Sequence, residues 1–427
     1  TTAANHAVND VVSESWTQRD IGRTNAGKYN FERFNFDGND KLICVDGTNA
    51  PVVFNSAMSA TDVSTSAVSG AKFVAAHKNF MFYAGMSSTP QEVVFSVAQD
   101  EDDFTSGSGA GSFKVDDTIV GLKAFRNELF IFCENRIFKL SGTAASNFVV
   151  EPVTRNIGCI NGDTIQEYAG DLMFLGPDGL RTVAGTARIG DVELGTVSKN
   201  VQGLFDKNIV SSDLFESVTI PDKTQYRIFF SKSTVTESRT RGVICVMREN
   251  GFEFSEILGI RPSCTDSFIT SGDVIILQGS FDGYVHRQEK GNTFDGTTIL
   301  GRYRGPDLSF GDAGIRKEMH RVILNYEPEA GISANLILRY DNESTGAARP
   351  APYALTTANV GAQYGSSTYS TSSSTTQFVY GGATNPLVRQ PVEGSGFTVA
   401  LKVDDDGVSA PYSLKGFQLE YQVGARR

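Results

Sequence analysis

The chain has 427 residues, a formal net charge of −11 and an isoelectric point near 5.0. The sequence contains no basic stripe or arm, which argues against a protein that reads a DNA groove, because affinity for phosphate needs clustered Lys and Arg. No apolar run approaches the ~20 residues of a membrane span, and no signal peptide is visible. With 29 Phe, 43 Gly and few helical patterns, the composition favours a β-rich protein with a substantial core and many short turns.

The cysteines indicate a reducing compartment. Their number is odd, their spacing is wide and none forms a CxxC pair, so we expect reduced thiols that are buried as small hydrophobic groups. Such thiols fit folding in a reducing cytoplasm. The five are Cys44, Cys133, Cys159, Cys245 and Cys264.

Residues 1–30 are polar and are predicted to form an N-terminal arm or strand. The stretch VVSESW at 11–16 ends in Trp16, the only tryptophan of the chain, which we expect to be a packing anchor. Because the sequence starts at Thr1 without a Met, we also expect that an upstream piece was removed or left out.

From about residue 31 to residue 291, one unit recurs: a strand, a tight turn, a strongly apolar strand, another turn and a further strand. Period and strand number are typical of a β-propeller, with a repeat of roughly 40 to 50 residues. An apolar strand without alternation must be covered on both faces, as in sheets stacked between similar sheets. Six units predict six blades. Their apolar middle strands are residues 42–45, 80–83, 129–132, 172–175, 227–230 and 274–277.

The blades are predicted to be irregular. Acidic residues 100–103 and the Ser/Gly-rich run 106–111 indicate an exposed loop, and residues 231–241 read as a polar hairpin tip. Residues 191–208 indicate a long connection with one short helix around 201–205. Insertions of this kind often carry contacts to other proteins.

After about residue 300 the pattern changes to strands that are typical of a sandwich. The predicted fold class is therefore all-β, an irregular six-bladed β-propeller at 31–300 followed by a smaller β-sandwich-like domain at 301–427. Within that domain, residues 341–377 form a long loop rich in Ser and Thr, which we expect a partner to hold. The predicted strands of the sandwich-like domain are residues 318–326, 336–340, 378–380, 397–403 and 414–423.

No catalytic, cofactor-binding or metal-binding residue is predicted. The four histidines are scattered without metal-ligand spacing, and no phosphate-binding or nucleophile motif stands out. The acidic run 404–407 lacks the alternating ligands of a calcium loop and is better explained as a solvated turn. The histidines are His6, His77, His286 and His320.

Three stretches look familiar when they are taken in order. The first is VGLKAFRNELFIF at 120–132 with IFKLSG at 137–142, and the second is GCINGDTI at 158–165 with DLMFLGPDGL at 171–180. The third comprises DGY at 282–284, GNTFDG at 291–296, KEMHRVIL at 317–324, YSLKGFQLEY at 412–421 and the final Arg pair at 426–427. Together they resemble the tail nozzle proteins of short-tailed bacteriophages, also called tail tubular or DNA-stabilisation proteins, over residues 31–427.

The resemblance implies a propeller protein that assembles as a homohexamer below the portal. Its implied partners are a head-to-tail adaptor ring above it, tail fibres or other tail proteins, and double-stranded DNA that passes without sequence readout. The implied location is the virion tail, assembled in the host cytoplasm, where the protein retains the packaged genome until ejection. Such a protein acts through shape and assembly, so the resemblance assigns no catalytic residue and implies no cofactor.

Two other functions stay open at this point. A host-binding adhesin or fibre-anchoring tail hub would have a glycan or receptor site on a propeller face. A cellular propeller would be either a carbohydrate-active enzyme or a scaffold, and a buried carboxylate pair at the propeller centre would favour the enzyme. For the nozzle, we expect contacts between subunits at the loops near 100–112, 231–241 and 341–377.

Overall fold

A computed structural model describes residues 20–24, 28–184, 196–232, 241–249, 251–328 without 282, 292, 295 and 297, 333–356, 387–407 and 412–426. The predicted strand at 378–380, Trp16, His6 and most of the loops at 231–241 and 341–377 lie outside these residues. The described chain forms two compact units, one within Ser13–Glu289 and one within Lys290–Arg427. The domain ranges 1–30, 31–300 and 301–427 stay predictions.

The first unit consists of six antiparallel sheets, and every sheet is made of strands that follow one another in sequence. Among the described residues, the fourth and sixth sheets have three strands and the others have four. The strands of the first three sheets are β1 (Asn30–Phe34), β2 (Lys41–Val45), β3 (Val52–Phe54) and β4 (Ala60–Asp62); β5 (Phe73–His77), β6 (Phe80–Ala84), β7 (Glu92–Phe95) and β8 (Gly111–Lys114); and β9 (Ile119–Phe125), β10 (Glu128–Cys133), β11 (Ile137–Ser141) and β12 (Val149–Thr154). The other three sheets contain β13 (Gln166–Tyr168), β14 (Asp171–Gly176) and β15 (Gly179–Thr182); β16 (Leu214–Ile220), β17 (Gln225–Ser231), β18 (Arg241–Arg248) and β19 (Gly251–Leu258); and β20 (Pro262–Thr270), β21 (Asp273–Ser280) and β22 (Val285–Arg287).

The predicted repeat is confirmed, because all six apolar stretches are the second strands of these sheets, namely β2, β6, β10, β14, β17 and β21. Tight turns connect them, and several turns use left-handed backbone at Lys78-Asn79, Arg126 and Ala169-Gly170. The predicted helix is also present, as α1 (Gln202–Ser211) between the fourth and fifth sheets. Its Phe205 is fully buried and packs edge-on against Phe230 of β17, with 5.7 Å between ring centroids.

Separate hydrophobic cores join consecutive sheets from the first to the fifth. Val45 and Met81 pack between the first two sheets, and Phe82 and Ile131 between the second and third. Similar cores lie between the third and fourth sheets and between the fourth and fifth. The middle strands β6, β10, β14 and β17 are therefore buried on both faces, as their lack of alternation predicts.

The sixth sheet departs from this prediction. In β21 only Ile276 is buried, and the other residues of the strand are half-buried or exposed. Its contacts with the fifth sheet include hydrogen bonds from the hydroxyls of Thr265 and Ser267 to carbonyl oxygens of β16. Full burial of the sixth middle strand is thus wrong, because an apolar strand is buried only where a second apolar face packs against it.

The second unit is a two-sheet sandwich, as predicted. Strands β23, β29, β25 and β26 form one sheet in that order, while β24 pairs with β27 and β28 on one edge and with β30 on the other. Leu336, Leu338 and Leu401 from the first sheet share a core with Val322 and Leu324 from the second. The strands are β23 (Gly301–Arg304), β24 (Ile315–Pro328), β25 (Ser333–Tyr340), β26 (Tyr353–Thr356), β27 (Leu387–Pro391), β28 (Ser395–Gly396), β29 (Val399–Asp405) and β30 (Tyr412–Arg426).

The described part of the chain contains no helix with the length and apolar character that crossing a bilayer requires.

Candidate functional site

Polar groups from several of the described sheets meet at the centre of the six-sheet unit. The first strands of consecutive sheets lie side by side, with β1 next to β5, β5 next to β9, β13 next to β16, and β16 next to β20. One edge of each first strand pairs within its own sheet, so its other edge presents backbone groups to the centre, where they need side-chain partners or water.

A lysine joins the chain entering the first sheet to the fourth and fifth sheets. Nζ of Lys28 lies 3.0 Å from Oδ2 of Asp163, which precedes β13, and it also donates a hydrogen bond to Oε1 of Glu216 in β16. Glu216 is buried, whereas Lys28 keeps about a third of its side chain exposed. The ammonium group thus holds two carboxylates from different sheets.

Neutral side chains complete this cluster around β16. The Gln166 amide donates to the carbonyl oxygen of Ser217 at 3.1 Å, and the Thr265 hydroxyl lies 3.1 Å from the same oxygen and 3.5 Å from Oε2 of Glu216. The Ser217 hydroxyl in turn donates to the carbonyl oxygen of Asp163 at 2.7 Å. Side chains from the fourth and sixth sheets therefore satisfy polar groups of one inner strand of the fifth.

A further carboxyl, Glu32 of β1, faces the second sheet. It accepts a hydrogen bond from the backbone N–H of Ala76 at 3.2 Å, and it interacts electrostatically with Lys123 of β9. Burial raises the pKa of Glu32, while the Ala76 N–H and Lys123 oppose that rise. The centre consequently contains three carboxyl groups, of which two share one lysine.

Sequence reasoning did not single out these residues. Lys28 and Glu216 are 188 positions apart, and nothing in the sequence around Lys28 indicates a contact with Glu216. Glu216 alone carried a usable signal, since a carboxylate in the middle of the apolar strand LFESVTI needs a partner when it is buried.

The histidines are not brought together. His77 is buried in β5, His286 is in β22 and His320 is an exposed residue of β24 in the other unit. Within the described residues, no group of three His, Cys, Asp or Glu side chains could hold a metal ion.

The acidic residues of the runs 100–103 and 404–407 interact with neighbouring groups. Glu101 is buried and pairs with Lys41 at 2.7 Å, and its carbonyl oxygen accepts a hydrogen bond from the Tyr83 hydroxyl. A hydrogen bond with Asp100 is the largest cause that raises the pKa of Asp102. In the second run, Asp404 pairs with Arg302 at 3.0 Å and with Lys402. These contacts fix loop and strand ends.

All five cysteines are free thiols, and four of them are buried. Burial raises the pKa of Cys44 to about 11 and that of Cys159 and Cys245 to about 12. The prediction of burial is wrong for Cys264, which is exposed. This residue lies in β20 of the sixth sheet, on the face that no described element covers.

Comparisons with known proteins leave the function open. No family model and no curated protein matches the sequence. Among solved structures, the N-terminal domain of Nup159 is 13% identical, with a TM-score of 0.34, over 58% of this chain and 71% of that one. An exo-β-1,3-galactanase from Phanerochaete chrysosporium is 8% identical, with a TM-score of 0.31, over 96% and 99% of the two chains. Likenesses this weak carry no argument about activity or ligands.

Proposed function

We propose that this chain is a structural subunit of the tail nozzle of a short-tailed bacteriophage. Six copies would enclose the DNA channel below an adaptor ring and retain the packaged genome until ejection. This function requires a stable shape and contacts between subunits, and it involves no chemical reaction.

The pairing of two familiar sequence stretches supports this proposal most. Residues 317–324 and 412–421 are far apart in sequence, yet they lie on the partner strands β24 and β30, where Met319 pairs with Tyr421 and Leu324 with Phe417. The first stretch falls on β9–β11 of the third sheet, and residues 171–180 of the second fall on β14 and the start of β15 in the fourth sheet. A shared architecture would preserve paired core strands together, whereas chance matches have no reason to be partners.

The first test is to locate the protein in intact particles from the source material. Gold-labelled antibody against this chain, viewed by negative stain, is expected at the tip of a short tail, with six-fold averages of the isolated tails. Label on fibres or on a capsid surface would favour the host-binding hub instead. Particles without label would overturn the virion function.

A second candidate function, hydrolysis of glycosidic bonds, is favoured by one observation. Asp163 and Glu216 both contact Nζ of Lys28, so two carboxylates from different sheets lie close together at the propeller centre. Glycosidases use such a pair as acid and as nucleophile or base. In this chain, however, the lysine and Thr265 already engage these carboxylates, which suits a structural tie.

This second function has its own test. The purified chain is incubated with a panel of plant, fungal and bacterial polysaccharides, and released reducing ends are measured. The nozzle proposal expects no release of reducing ends from the native chain or from Glu216→Gln. Release that Glu216→Gln and Asp163→Asn both abolish would establish the hydrolase and contradict a purely structural role.

A further inference from the structure

The contact between the fifth and sixth sheets differs from the other contacts in the six-sheet unit. Four hydrophobic cores join consecutive sheets from the first to the fifth, and none of them contains a described residue of the sixth sheet. The hydroxyl groups of Thr265 and Ser267 in β20 instead bond to backbone carbonyl oxygens of β16. Because side chains alternate along a strand, these two hydroxyls identify the face of the sixth sheet that is turned to the fifth.

This face of the sixth sheet carries further polar side chains. Gln278 of β21 lies opposite Thr265, and its side-chain oxygen accepts a hydrogen bond from the amide of Gln288 at 2.7 Å. Gln288 is itself buried. Ile276, opposite Ser267, is the buried apolar residue of β21 on the same face. Hydrogen-bonding groups therefore make up much of the surface that the sixth sheet presents to the fifth.

An arginine of the fifth sheet connects to these polar groups. Arg227 of β17 is 4% exposed, and it points away from the core that joins the fourth and fifth sheets, because its neighbours Tyr226 and Ile228 belong to that core. Its Nη1 donates to Oε1 of Gln288 at 3.3 Å, and its Nη2 pairs with Oε1 of Glu289. Arg227 is thus a buried donor that reaches from the fifth sheet to the end of the sixth.

The ion pair with Glu289 lies where the chain leaves the sixth sheet. Glu289 comes two residues after the end of β22, and Lys223, from the turn between β16 and β17, pairs with the same carboxylate. The boundary between the two compact units falls directly after it, at Lys290. Two cations from the fifth sheet and its first turn therefore hold the last residue before that boundary.

A polar contact of this kind holds a sheet less firmly than an apolar core does. Each hydrogen bond replaces a bond with water and contributes little net free energy, and a buried ion pair must first offset the desolvation of its charges. Regions with few buried apolar contacts are the ones that open most easily in a folded protein. Among the six sheets, the sixth is therefore expected to open first.

We propose that the sixth sheet opens from the fifth as one unit, with the Arg227–Glu289 pair as its lock, while the first five sheets stay folded. Because the chain passes from this sheet directly into the second unit, opening lengthens the segment that joins the two units. The inference concerns the six-sheet unit alone and does not rest on the proposed function.

Hydrogen exchange of the purified full chain, measured by mass spectrometry at low urea concentrations, tests the opening. Peptides from β20–β22 are expected to exchange through an opening that needs less free energy, and depends less on urea, than the opening of β6, β10 and β14. Exchange of β20–β22 with the same free energy and urea dependence as β10 would overturn the proposal, since the sixth sheet would then open only on global unfolding.

The variant Arg227→Met tests the lock. It keeps a long side chain but removes the donors that Gln288 and Glu289 accept, so exchange in β20–β22 is expected to become about tenfold faster. The matched control is Arg241→Met, because Arg241 pairs at 3.1 Å with Glu256 of its own sheet and both side chains are exposed. The control is expected to leave exchange in β20–β22 unchanged. An equal acceleration in β6 and β10 of Arg227→Met would indicate general destabilisation and contradict the lock.

Replacing the polar network by apolar side chains tests the physical reason for the opening. The triple variant Arg227→Met, Gln278→Leu and Gln288→Leu removes the buried groups that need partners, and such replacements are often neutral or stabilising. Exchange in β20–β22 is expected to return to the native rate or to fall below it, and circular dichroism checks that the fold is kept. Faster exchange than in Arg227→Met would show that the polar groups hold the sheet, which contradicts the proposed cause of its opening.

Discussion

At the scale of single residues, His77 is a buried base whose charged form the Glu128 carboxylate favours only in part. Its ring lies 6.4 Å from that of Phe82, and its Nε2 has no hydrogen-bond partner among the described residues. Burial and, to a lesser extent, the Lys78 ammonium group lower the pKa of His77 from 6.5 to about 4. The unfolded chain therefore takes up this proton at a higher pH than the folded chain does.

The sign of the effect on stability follows from that difference. The stabilising share of neutral His77 is fully present above the unfolded pKa and is lost as the pH falls towards the folded one. We predict a loss on the order of 2 kcal/mol between about pH 7 and about pH 5, which His77→Phe removes. Urea unfolding at both pH values measures it. Parallel losses in the native chain and the variant would contradict the prediction.

The lysine at the propeller centre allows a second prediction at this scale. Lys28→Met leaves Asp163 and the buried Glu216 together without their cation, and we expect it to reduce the free energy of unfolding by about 1–3 kcal/mol. Adding Asp163→Asn and Glu216→Gln to that variant is expected to recover part of the loss. The control is Arg248→Met, which breaks the exposed pair with Glu253 and should cost less than about 0.5 kcal/mol. Equal losses for the two single variants would show that the centre is not a structural tie.

At the scale of elements, the crossing from the third to the fourth sheet depends on one glycine. A Cβ at Gly158 would lie 2.2 Å from the carbonyl oxygen of Glu134 and 2.4 Å from that of Cys133, at the end of β10. Both obstacles are backbone atoms, so they cannot move without shifting the strand. The hydrogen bond from Cys159 N–H to the Cys133 carbonyl oxygen, at 2.9 Å, holds the same approach.

We predict that Gly158→Ala lowers the free energy of unfolding by more than about 2 kcal/mol, since overpacking against backbone is among the costly changes. The matched control is Gly203→Ala in α1, where no atom lies within 4 Å of the new methyl group. That change should stabilise the protein by up to about 1 kcal/mol, because Ala favours a helix over Gly. Thermal unfolding compares the stability of the two variants. If Gly158→Ala leaves the stability unchanged, the end of β10 can shift to accommodate the methyl group.

The strands themselves were predictable from sequence because their signals are local. Apolar runs such as residues 80–83 and 129–132, bounded by turn residues, identify middle strands without knowledge of their neighbours. The incomplete burial of β21 was not predictable, because its sequence VIIL equals the others in apolar character. Whether such a strand is covered depends on what packs against it, and that contact is not local.

The polar cluster at the propeller centre was not predictable from the sequence, for a related reason. Lys28, Asp163 and Glu216 meet only after the stack has curled, and each is an ordinary charged residue in its own segment. No spacing rule connects positions that are separated by several sheets. The exposed Cys264 belongs to the same class, since its neighbours in β20 read as an ordinary strand.

At the scale of the whole molecule, assembly into a ring stays a prediction, and the loop after the second sheet's third strand offers a test of it. Residues 105–108 are exposed, while both flanks are anchored: Glu101 pairs with Lys41 at 2.7 Å, and Ala110 is buried. The exposed tip can therefore be shortened without disturbing the sheet. If this loop carries contacts between subunits, its tip contributes to the interface and little to the fold.

We predict that replacing residues 105–109 with two glycines leaves the thermal unfolding of the monomer nearly unchanged and prevents formation of hexamers. Long surface loops contribute little to stability, since closing a shorter loop changes the free energy by only about 0.6 kcal/mol for each halving of its length. Native mass spectrometry measures the oligomers, and circular dichroism measures unfolding in the same samples. Hexamers that form as in the native chain would remove this loop from the interface, and a monomer that unfolds early would show that the tip supports the second sheet.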